Sequence, residues 1–385
     1  MPSLYVHVPF CQKKCNYCAF FSIPYTGSKT FSYLQGMERE IHMRLGEVSG
    51  KIASLFLGGG TPTVLSAEEL EGLLNSLELF AFSPQAEKTV EANPGTLELK
   101  KLNIMSGYGI NRISLGAQSF NDLLLNRIGR IHSAQDITRS VKLIRQAGFD
   151  NLNLDLMFGL PGQTLSDWQE TLQKAVDLEP EHLSLYALTI EPGTPLACSL
   201  GEQSYEQSYS LGSAVIPDDD MQADMYELAA GYLRTQGYWH YEISNFARPG
   251  FECRHNLSYW RGEDYLGLGP GAVSCLNGMR CKNVEHIYKY CRLTQQGLKP
   301  VEDSETEILT QKELIFEYIM LGFRTAEGID RELFARKFGR PIQDIYGEVL
   351  THYIDKGIIC SEKGRIKLNP AYYFVANSII KDFSL

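Results

Sequence analysis

Three cysteines near the start of the chain have the spacing of a cofactor site. Cys11, Cys15 and Cys18 fall within eight residues, directly after a β-branched apolar run at residues 4–8. Cysteine thiolates are the usual ligands of iron–sulfur clusters. Three of them satisfy three irons of a cubane and leave the fourth iron open, where it can bind a small molecule and pass it an electron.

Zinc is the alternative ligand for the same residues. Structural zinc sites usually close with four Cys or His ligands in recognisable pairs. No second pair follows Cys18, and His7 lies before the cysteines. The spacing therefore favours a [4Fe-4S] cluster over zinc.

The elements that position this motif alternate between strand-like and helix-like patterns. Short runs rich in β-branched residues occur at 4–8, 52–57, 88–91, 112–115, 152–157 and 182–190. Amphipathic stretches lie between them at 30–45, 67–79, 97–105, 134–146 and 165–178. Six strands with intervening helices imply right-handed βαβ units and a parallel sheet. The class is therefore α/β, and a doubly wound sheet and a barrel both fit.

The end of the chain has a different pattern. Helices are predicted at 311–321, 330–338 and 342–355, followed by a hairpin at 357–368 with its turn at Lys363-Gly364. We predict an α/β domain at 1–215, a connecting region at 216–304 and a C-terminal α+β, winged-helix-like domain at 305–385. We interpret the last as a packing or partner module, with DNA binding as the alternative.

Composition limits the function classes. The 385 residues carry 36 Lys and Arg against 46 Asp and Glu, a net charge of −10, which is poorly suited to non-specific nucleic-acid binding. No apolar run approaches the roughly 18 residues of a membrane span, and the start of the chain lacks the pattern of a signal peptide. Nine cysteines are too sparse for a disulfide scaffold. A cytoplasmic protein is therefore predicted.

The extended cysteine motif resembles a known family. The CxxxCxxC spacing after the first strand, with His7, Pro9-Phe10 and Tyr17, is similar to radical S-adenosylmethionine enzymes of the coproporphyrinogen oxidase-related branch. The resemblance covers nearly the whole chain. It implies a partial (β/α)6 barrel with its site at the C-terminal ends of the strands. It also implies that the cluster reduces S-adenosylmethionine to methionine and a 5′-deoxyadenosyl radical.

Glycine and polar residues follow several of the predicted strands. Three glycines, 58–60, come directly after the second strand, where they permit either close contact with a ligand or a tight turn. Carboxylates suit the ammonium and hydroxyl groups of S-adenosylmethionine, and an arginine suits its carboxylate. The resemblance implies these S-adenosylmethionine contacts: Tyr5, Tyr17, Gly59, Gly60, Thr61, Glu91, Gln118, Arg130, Asp155 and Ala187.

Two features separate the members of the branch. The oxygen-independent coproporphyrinogen III oxidase has a fourth cysteine two residues after the third, where this chain has Phe20. The segment His255-Asn256-Leu257-Ser258-Tyr259-Trp260 resembles the HNxxYW motif of the haem chaperone group. That resemblance implies His255 as a haem ligand. The alternative is a loop histidine that caps backbone groups, with both aromatic residues in the core.

The sequence thus predicts a haem chaperone that uses the cluster and S-adenosylmethionine. Its partners are haem and haem-requiring acceptor proteins; no nucleic acid is expected, and the prediction leaves room for peripheral membrane contact and a homodimer. The main alternative is the coproporphyrinogen III oxidase. Two others are a binding module without radical chemistry and a winged-helix regulator.

Overall fold

One large sheet organises the computed structural model, which describes residues 1–200, 210–211 and 214–384. The strands in these residues are β1 (Ser3–Val8), β2 (Phe10–Cys11), β3 (Ile23–Pro24), β4 (Ile52–Gly59), β5 (Phe82–Ala92), β6 (Arg112–Gln118), β7 (Leu152–Phe158), β8 (His182–Ala187), β9 (Ser210–Leu211), β10 (Ala214–Val215), β11 (Trp239–Glu242), β12 (Asn245–Ala247), β13 (Tyr265–Leu268), β14 (Val273–Leu276), β15 (Met279–Lys282), β16 (Glu307–Ile308), β17 (Ile329–Asp330), β18 (Ile359–Glu362) and β19 (Arg365–Leu368).

Helices cover the sheet and connect its strands. They are α1 (Gly27–Arg44), α2 (Ala67–Leu77), α3 (Leu99–Gly107), α4 (Asp122–Arg127), α5 (Ala134–Gln146), α6 (Leu165–Val176), α7 (Pro195–Leu200), α8 (Asp219–Thr235), α9 (Arg254–Trp260), α10 (Ile287–Gln295), α11 (Gln311–Gly322), α12 (Arg331–Phe338), α13 (Gln343–Asp355) and α14 (Ala376–Lys381). Among the described residues, no helix has the length and apolar character that crossing a bilayer requires.

The six predicted parallel strands are all present. They are β1, β4, β5, β6, β7 and β8, and they lie side by side in chain order. Every residue of β6 is buried, as expected for a parallel strand covered on both faces. The helices between them begin at strong signals, for example the capping box of Ser133 and Asp136 at α5. Sequence and structure therefore agree on the α/β class.

The sheet continues beyond these six strands instead of closing into a barrel. β1 pairs with β13 in parallel, and β14, β15 and β16 extend that edge in antiparallel order. At the other edge, β8 pairs with β12, and β12 with β11. The sequence did not predict these additions, since two- to four-residue strands lack a clear period. They make the fold an open partial barrel, whose sheet ends at β11 on one side and at β16 on the other.

The C-terminal part has the predicted helices and hairpin. A three-stranded sheet, ordered β17-β19-β18, packs with α11, α12 and α13. The β18–β19 turn has positive φ at both Lys363 (+49°) and Gly364 (+78°), which matches the right-handed twist of a hairpin. Backbone hydrogen bonds join this part to the large sheet, from Ala326 N–H to the Tyr241 carbonyl (2.9 Å) and from Ile243 N–H to the Arg324 carbonyl (3.0 Å).

Two glycine substitutions test the packing between β13 and β14. A Cβ on Gly267 of β13 would collide with the main-chain carbonyl of Val273, whereas a Cβ on Gly72 of α2 meets no atom within 4 Å. We expect Gly267→Ala to lower the free energy of unfolding by about 3 kcal/mol. Gly72→Ala should raise it by about 0.5–1 kcal/mol, because alanine favours a helix. Urea unfolding measures both. A Gly267→Ala protein as stable as the wild type would contradict the close packing at β13.

Candidate functional site

The cysteine motif lies on a loop closed by two short strands. β2 and β3 pair in parallel, so that Ile23 N–H donates to the Pro9 carbonyl (2.7 Å) and Tyr25 N–H to the Cys11 carbonyl (2.9 Å). The middle of the loop is anchored through Asn16, whose N–H donates to the Ile128 carbonyl (3.1 Å). The loop therefore holds its three half-buried cysteines beyond the C-terminal end of β1.

Two side chains from other segments and one backbone group of the loop approach these thiols. The Thr61 hydroxyl donates to Cys11 Sγ (3.7 Å), and Arg130 Nη1 donates to Cys15 Sγ (3.5 Å). Burial raises the pKa of the Cys18 thiol, and a hydrogen bond from the Phe20 main chain partly offsets that effect.

Throughout the described residues, no three Cys, His, Asp or Glu side chains are arranged to share one metal ion.

A cavity of about 460 Å³ lies beside the loop at the C-terminal ends of the strands. All three cysteines line it, together with most of the residues assigned by resemblance to S-adenosylmethionine. Those residues are Tyr17, Gly59, Gly60, Thr61, Glu91, Gln118, Arg130, Asp155 and Ala187. Tyr5, the remaining member of that set, lines a different cavity and not this one. The structure thus brings together residues spread over more than 170 positions of sequence.

The glycine segment is required by packing inside the protein. Gly59 has φ +105°, and a Cβ there would lie 2.5 Å from the His7 ring. A Cβ on Gly60 would lie 2.6 Å from the Phe10 carbonyl oxygen. Close approach to β1 and β2 therefore explains these glycines by itself, and the same backbone also forms the cavity wall.

Gln118 reaches the cavity through an unusual backbone conformation. Its φ is +67°, and the pairing of β6 with β7 shifts register between Gly116 and Gln118. A non-glycine residue in the left-handed region carries strain that the surrounding structure must hold. The bulge turns the end of β6 so that Gln118 lines the cavity.

Two buried carboxyl groups give the cavity its electrostatic character. Burial, and next the charge of Asp155, raise the pKa of Glu91 to about 8. Burial also raises the pKa of Asp155, while hydrogen bonds from Asn153 (2.8 Å) and Ser114 (3.0 Å) lower it. In the described part of the chain, Glu91 accepts one hydrogen bond, from Gly59 N–H (3.1 Å). The pair is therefore suited to a ligand with a cationic group and hydroxyls.

Arg130 is held by Asn93, which the sequence did not predict as a site residue. Its Nη2 donates to Asn93 Oδ1 (2.6 Å) and to the Gly116 carbonyl. Its Nε is buried without a partner among the described residues, and the side chain lines the cavity. Asn93 follows Glu91 at the end of β5, so position at a strand end was the only sequence signal for it.

The residues of this cavity fit the expected cofactors. The buried carboxyl pair suits the ammonium and ribose hydroxyls of S-adenosylmethionine, and the unpartnered Arg130 Nε suits a carboxylate. The thiols of Cys11, Cys15 and Cys18 suit the irons of a [4Fe-4S] cluster. When bound, these groups supply one-electron chemistry, while the chain binds, orients and shields them.

A second, larger cavity of about 840 Å³ adjoins the first. Four residues line both cavities: Ala19, Phe20, Glu91 and Tyr186. The walls of the larger one are strongly aromatic, formed in part by Tyr5, Phe21, Phe56, Tyr259, Tyr265 and Tyr318. Phe20, at the shared wall, is 71 % exposed. The arrangement suits a flat apolar ligand placed next to the cavity of about 460 Å³, the cofactor cavity.

His255 lies in the wall of the larger cavity and is only 1 % exposed. Its Nδ1 contacts Ser54 Oγ (2.8 Å), its Nε2 contacts the Tyr259 hydroxyl (2.9 Å), and its ring stacks on Phe56. Burial, and next the charge of Arg112, lower the pKa of His255 to about 3. The imidazole is therefore neutral near pH 7, the form that ligates metals.

The helix that carries His255 also has a structural role. Glu87 accepts hydrogen bonds from the N–H groups of Arg254 (3.1 Å) and His255 (3.0 Å), at the N-terminus of α9. At the other end of the helix, Trp260 packs under Arg324 of the C-terminal part. The motif thus connects the large sheet to the C-terminal part, and its residues His255, Asn256 and Tyr259 also line the larger cavity.

The raised pKa of Glu91 predicts a pH dependence of stability. The folded protein keeps this proton to about pH 8, whereas the unfolded chain loses it near the usual value of 4.5. Between these values the folded state binds more protons, so the free energy of unfolding falls as pH rises. Relative to Glu91→Gln, the cofactor-free wild type should lose on the order of 3–5 kcal/mol from pH 5 to pH 8.

Urea unfolding of both proteins at pH 5, 6, 7 and 8 measures this difference. The exposed Glu71→Gln variant is the control and should follow the wild type at each pH. A constant difference between wild type and Glu91→Gln across the four pH values would contradict the raised pKa.

Family models match both ends of the chain. The Radical SAM superfamily model matches residues 5–175, which contain the cysteine loop and strands β1 and β4–β7. The HemN C-terminal domain model matches residues 309–371, which contain α11–α13 and the small sheet.

Relatives extend the match to the full length. The Bacillus subtilis protein named Heme chaperone HemW is 36 % identical over 386 residues, covering 100 % of this chain and 99 % of that protein. Its Escherichia coli namesake is 35 % identical, with 95 % and 96 % covered. The solved structure of coproporphyrinogen III oxidase (HemN) from Escherichia coli has a TM-score of 0.84 at 25 % identity, covering 100 % of this chain and 90 % of that one. The chain belongs to the HemW family of the radical SAM superfamily.

Proposed function

We propose that this protein is a haem chaperone, which binds haem and transfers it to haem-requiring proteins with the help of a [4Fe-4S] cluster and S-adenosylmethionine. The observation that carries the proposal is the aromatic cavity of about 840 Å³ beside the cofactor cavity. The names of the full-length relatives support the same function.

The chemistry of the larger cavity suits a tetrapyrrole. Aromatic faces pack against a flat macrocycle, and Phe20, Tyr259 and Tyr265 supply such faces. Lys337 lines the same cavity and lies over the ring of Tyr318, with its amine 5.1 Å from the ring centre. That amine is suited to a haem propionate.

Phe20 favours haem binding over oxidase chemistry. The residue occupies the position of the oxidase's fourth cysteine, and it lines both cavities. An exposed aromatic ring there offers an apolar face to a flat ligand, where a thiol would offer a reactive group.

His255 is our proposed haem ligand. Its neutral imidazole requires no deprotonation before it binds iron. Its Nε2 is engaged by the Tyr259 hydroxyl, so coordination through this nitrogen requires that hydrogen bond to break. Tyr259 therefore competes with iron for the same atom.

This competition predicts opposite effects of two substitutions. His255→Ala should weaken haem binding at least tenfold and remove the imidazole signature from the absorption and EPR spectra. Tyr259→Phe should strengthen binding about three- to tenfold, because a lost hydrogen bond of about 1 kcal/mol no longer opposes coordination. Haem titration of the cluster-loaded proteins, followed in the Soret band, measures both.

Tyr238→Phe is a matched control. Its hydroxyl is buried and donates to the Pro180 carbonyl (2.6 Å), away from both cavities, so haem affinity should not change. Unchanged affinity in both His255→Ala and Tyr259→Phe would remove His255 from the ligand set.

An activity assay separates the chaperone from its main alternative. The reconstituted, anaerobic protein should bind haem and fail to decarboxylate coproporphyrinogen. Robust formation of protoporphyrinogen would overturn the proposal in favour of the oxidase. Measuring 5′-deoxyadenosine after reduction tests whether radical chemistry is retained.

A further inference from the structure

Hydrogen-bond donors reach the sulfur atoms of two cysteines from outside their loop. Thr61, two residues after β4, donates to Cys11 Sγ (3.7 Å), and Arg130, which follows α4, donates through Nη1 to Cys15 Sγ (3.5 Å). Both donors come from segments far from the cysteines in sequence. The tertiary structure therefore surrounds the thiols with donors that the motif itself does not contain.

Asn93 joins the two donors into one chain. Its Nδ2 donates to Thr61 Oγ1 (2.7 Å), and its Oδ1 accepts from Arg130 Nη2 (2.6 Å). The hydrogen bonds run from Cys11 through Thr61, Asn93 and Arg130 to Cys15. Because the Thr61 hydroxyl oxygen accepts the hydrogen bond from Asn93, the hydroxyl proton is directed toward Cys11 Sγ. One amide thus orients both donors.

The backbone of β6 at Gly116 leaves space for these hydrogen-bonded side chains. A Cβ on Gly116 of β6 would lie 2.8 Å from Asn93 Oδ1 and 3.0 Å from Arg130 Nη2. Arg130 Nη2 also donates to the Gly116 carbonyl. The space next to β6 therefore holds the amide and the guanidinium in contact, with no room for a side chain at 116.

Donors to thiolate sulfur change the electronics of a cluster. A hydrogen bond withdraws electron density from the sulfur and so favours the reduced, more negative cluster. The guanidinium adds a positive charge, which acts in the same direction and more strongly. Removing either donor should therefore make reduction harder.

We propose that Thr61 and Arg130 raise the reduction potential of the cluster bound by Cys11 and Cys15, and that Asn93 is the positioning residue that orients both donors. This inference rests on the cluster in the proposed function, and it is independent of haem binding.

The test compares single-residue variants of the full-length, anaerobically reconstituted protein without S-adenosylmethionine. The midpoint potential is measured by redox titration, with the EPR signal of the reduced cluster as the readout. Thr61→Val and Asn93→Ala should each shift the midpoint to a more negative value than the wild type. Thr61→Ser, which keeps the hydroxyl, should restore it.

Thr63→Val is the matched control. Thr63 is equally buried, two positions from Thr61, and its hydroxyl contacts Thr96 (2.6 Å) instead of a cysteine. Its midpoint should equal that of the wild type. Midpoints of Thr61→Val and Asn93→Ala equal to the wild type would overturn the inference.

Iron content distinguishes the remaining outcomes. Wild-type protein that holds no four-iron cluster would contradict the cluster in the proposed function. If Thr61→Val alone fails to hold four irons, Asn93→Ala decides by the same titration, because it changes no side chain next to a sulfur atom.

Discussion

Two backbone hydrogen bonds hold the glycine segment against the cysteine loop, and the site depends on them. Gly60 N–H donates to the Val8 carbonyl (2.9 Å), and Thr61 N–H donates to the Phe10 carbonyl (2.7 Å). They carry the parallel pairing of β1 and β4 past the ends of the strands. Through them, Thr61 reaches Cys11, and the cavity wall is fixed relative to the thiols. A side chain at position 60 would force the two segments apart.

One buried arginine affects the pKa values of acidic and histidine side chains in both cavities. Arg112 is fully buried. Burial raises the pKa of Glu91 and Asp155, and the positive charge of Arg112 opposes that rise. Burial lowers the pKa of His255, and the same charge lowers it further. For the two carboxyls this offsets part of the cost of burial, and for the histidine it favours the neutral form. One buried guanidinium therefore influences both the cofactor cavity and the histidine of the larger cavity.

The shared wall between the cavities connects the two parts of the proposed function. Phe20 and Tyr186 line both spaces, and Glu91 lies at the same junction. A ligand in the larger cavity thus lies against residues that also line the cofactor cavity. The C-terminal part completes the larger cavity through Leu314, Tyr318 and Lys337, so both ends of the chain form one site.

The sequence by itself determined the cofactor motif, the α/β class and the C-terminal hairpin. These follow from local patterns: the cysteine spacing, the alternation of strand and helix periods, and the turn residues Lys363-Gly364. Polar residues at strand ends also pointed to one site, because parallel strands end at the same edge.

Only the tertiary structure decided how the sheet ends and which neighbours the site residues have. The short strands β11–β16 form through pairing with distant partners and have too few residues for a period. The role of Asn93 and the hydrogen bond between Tyr259 and His255 depend on side chains that meet only after folding. Spacing in a sequence records which groups are present, whereas their partners are set by packing across the whole chain.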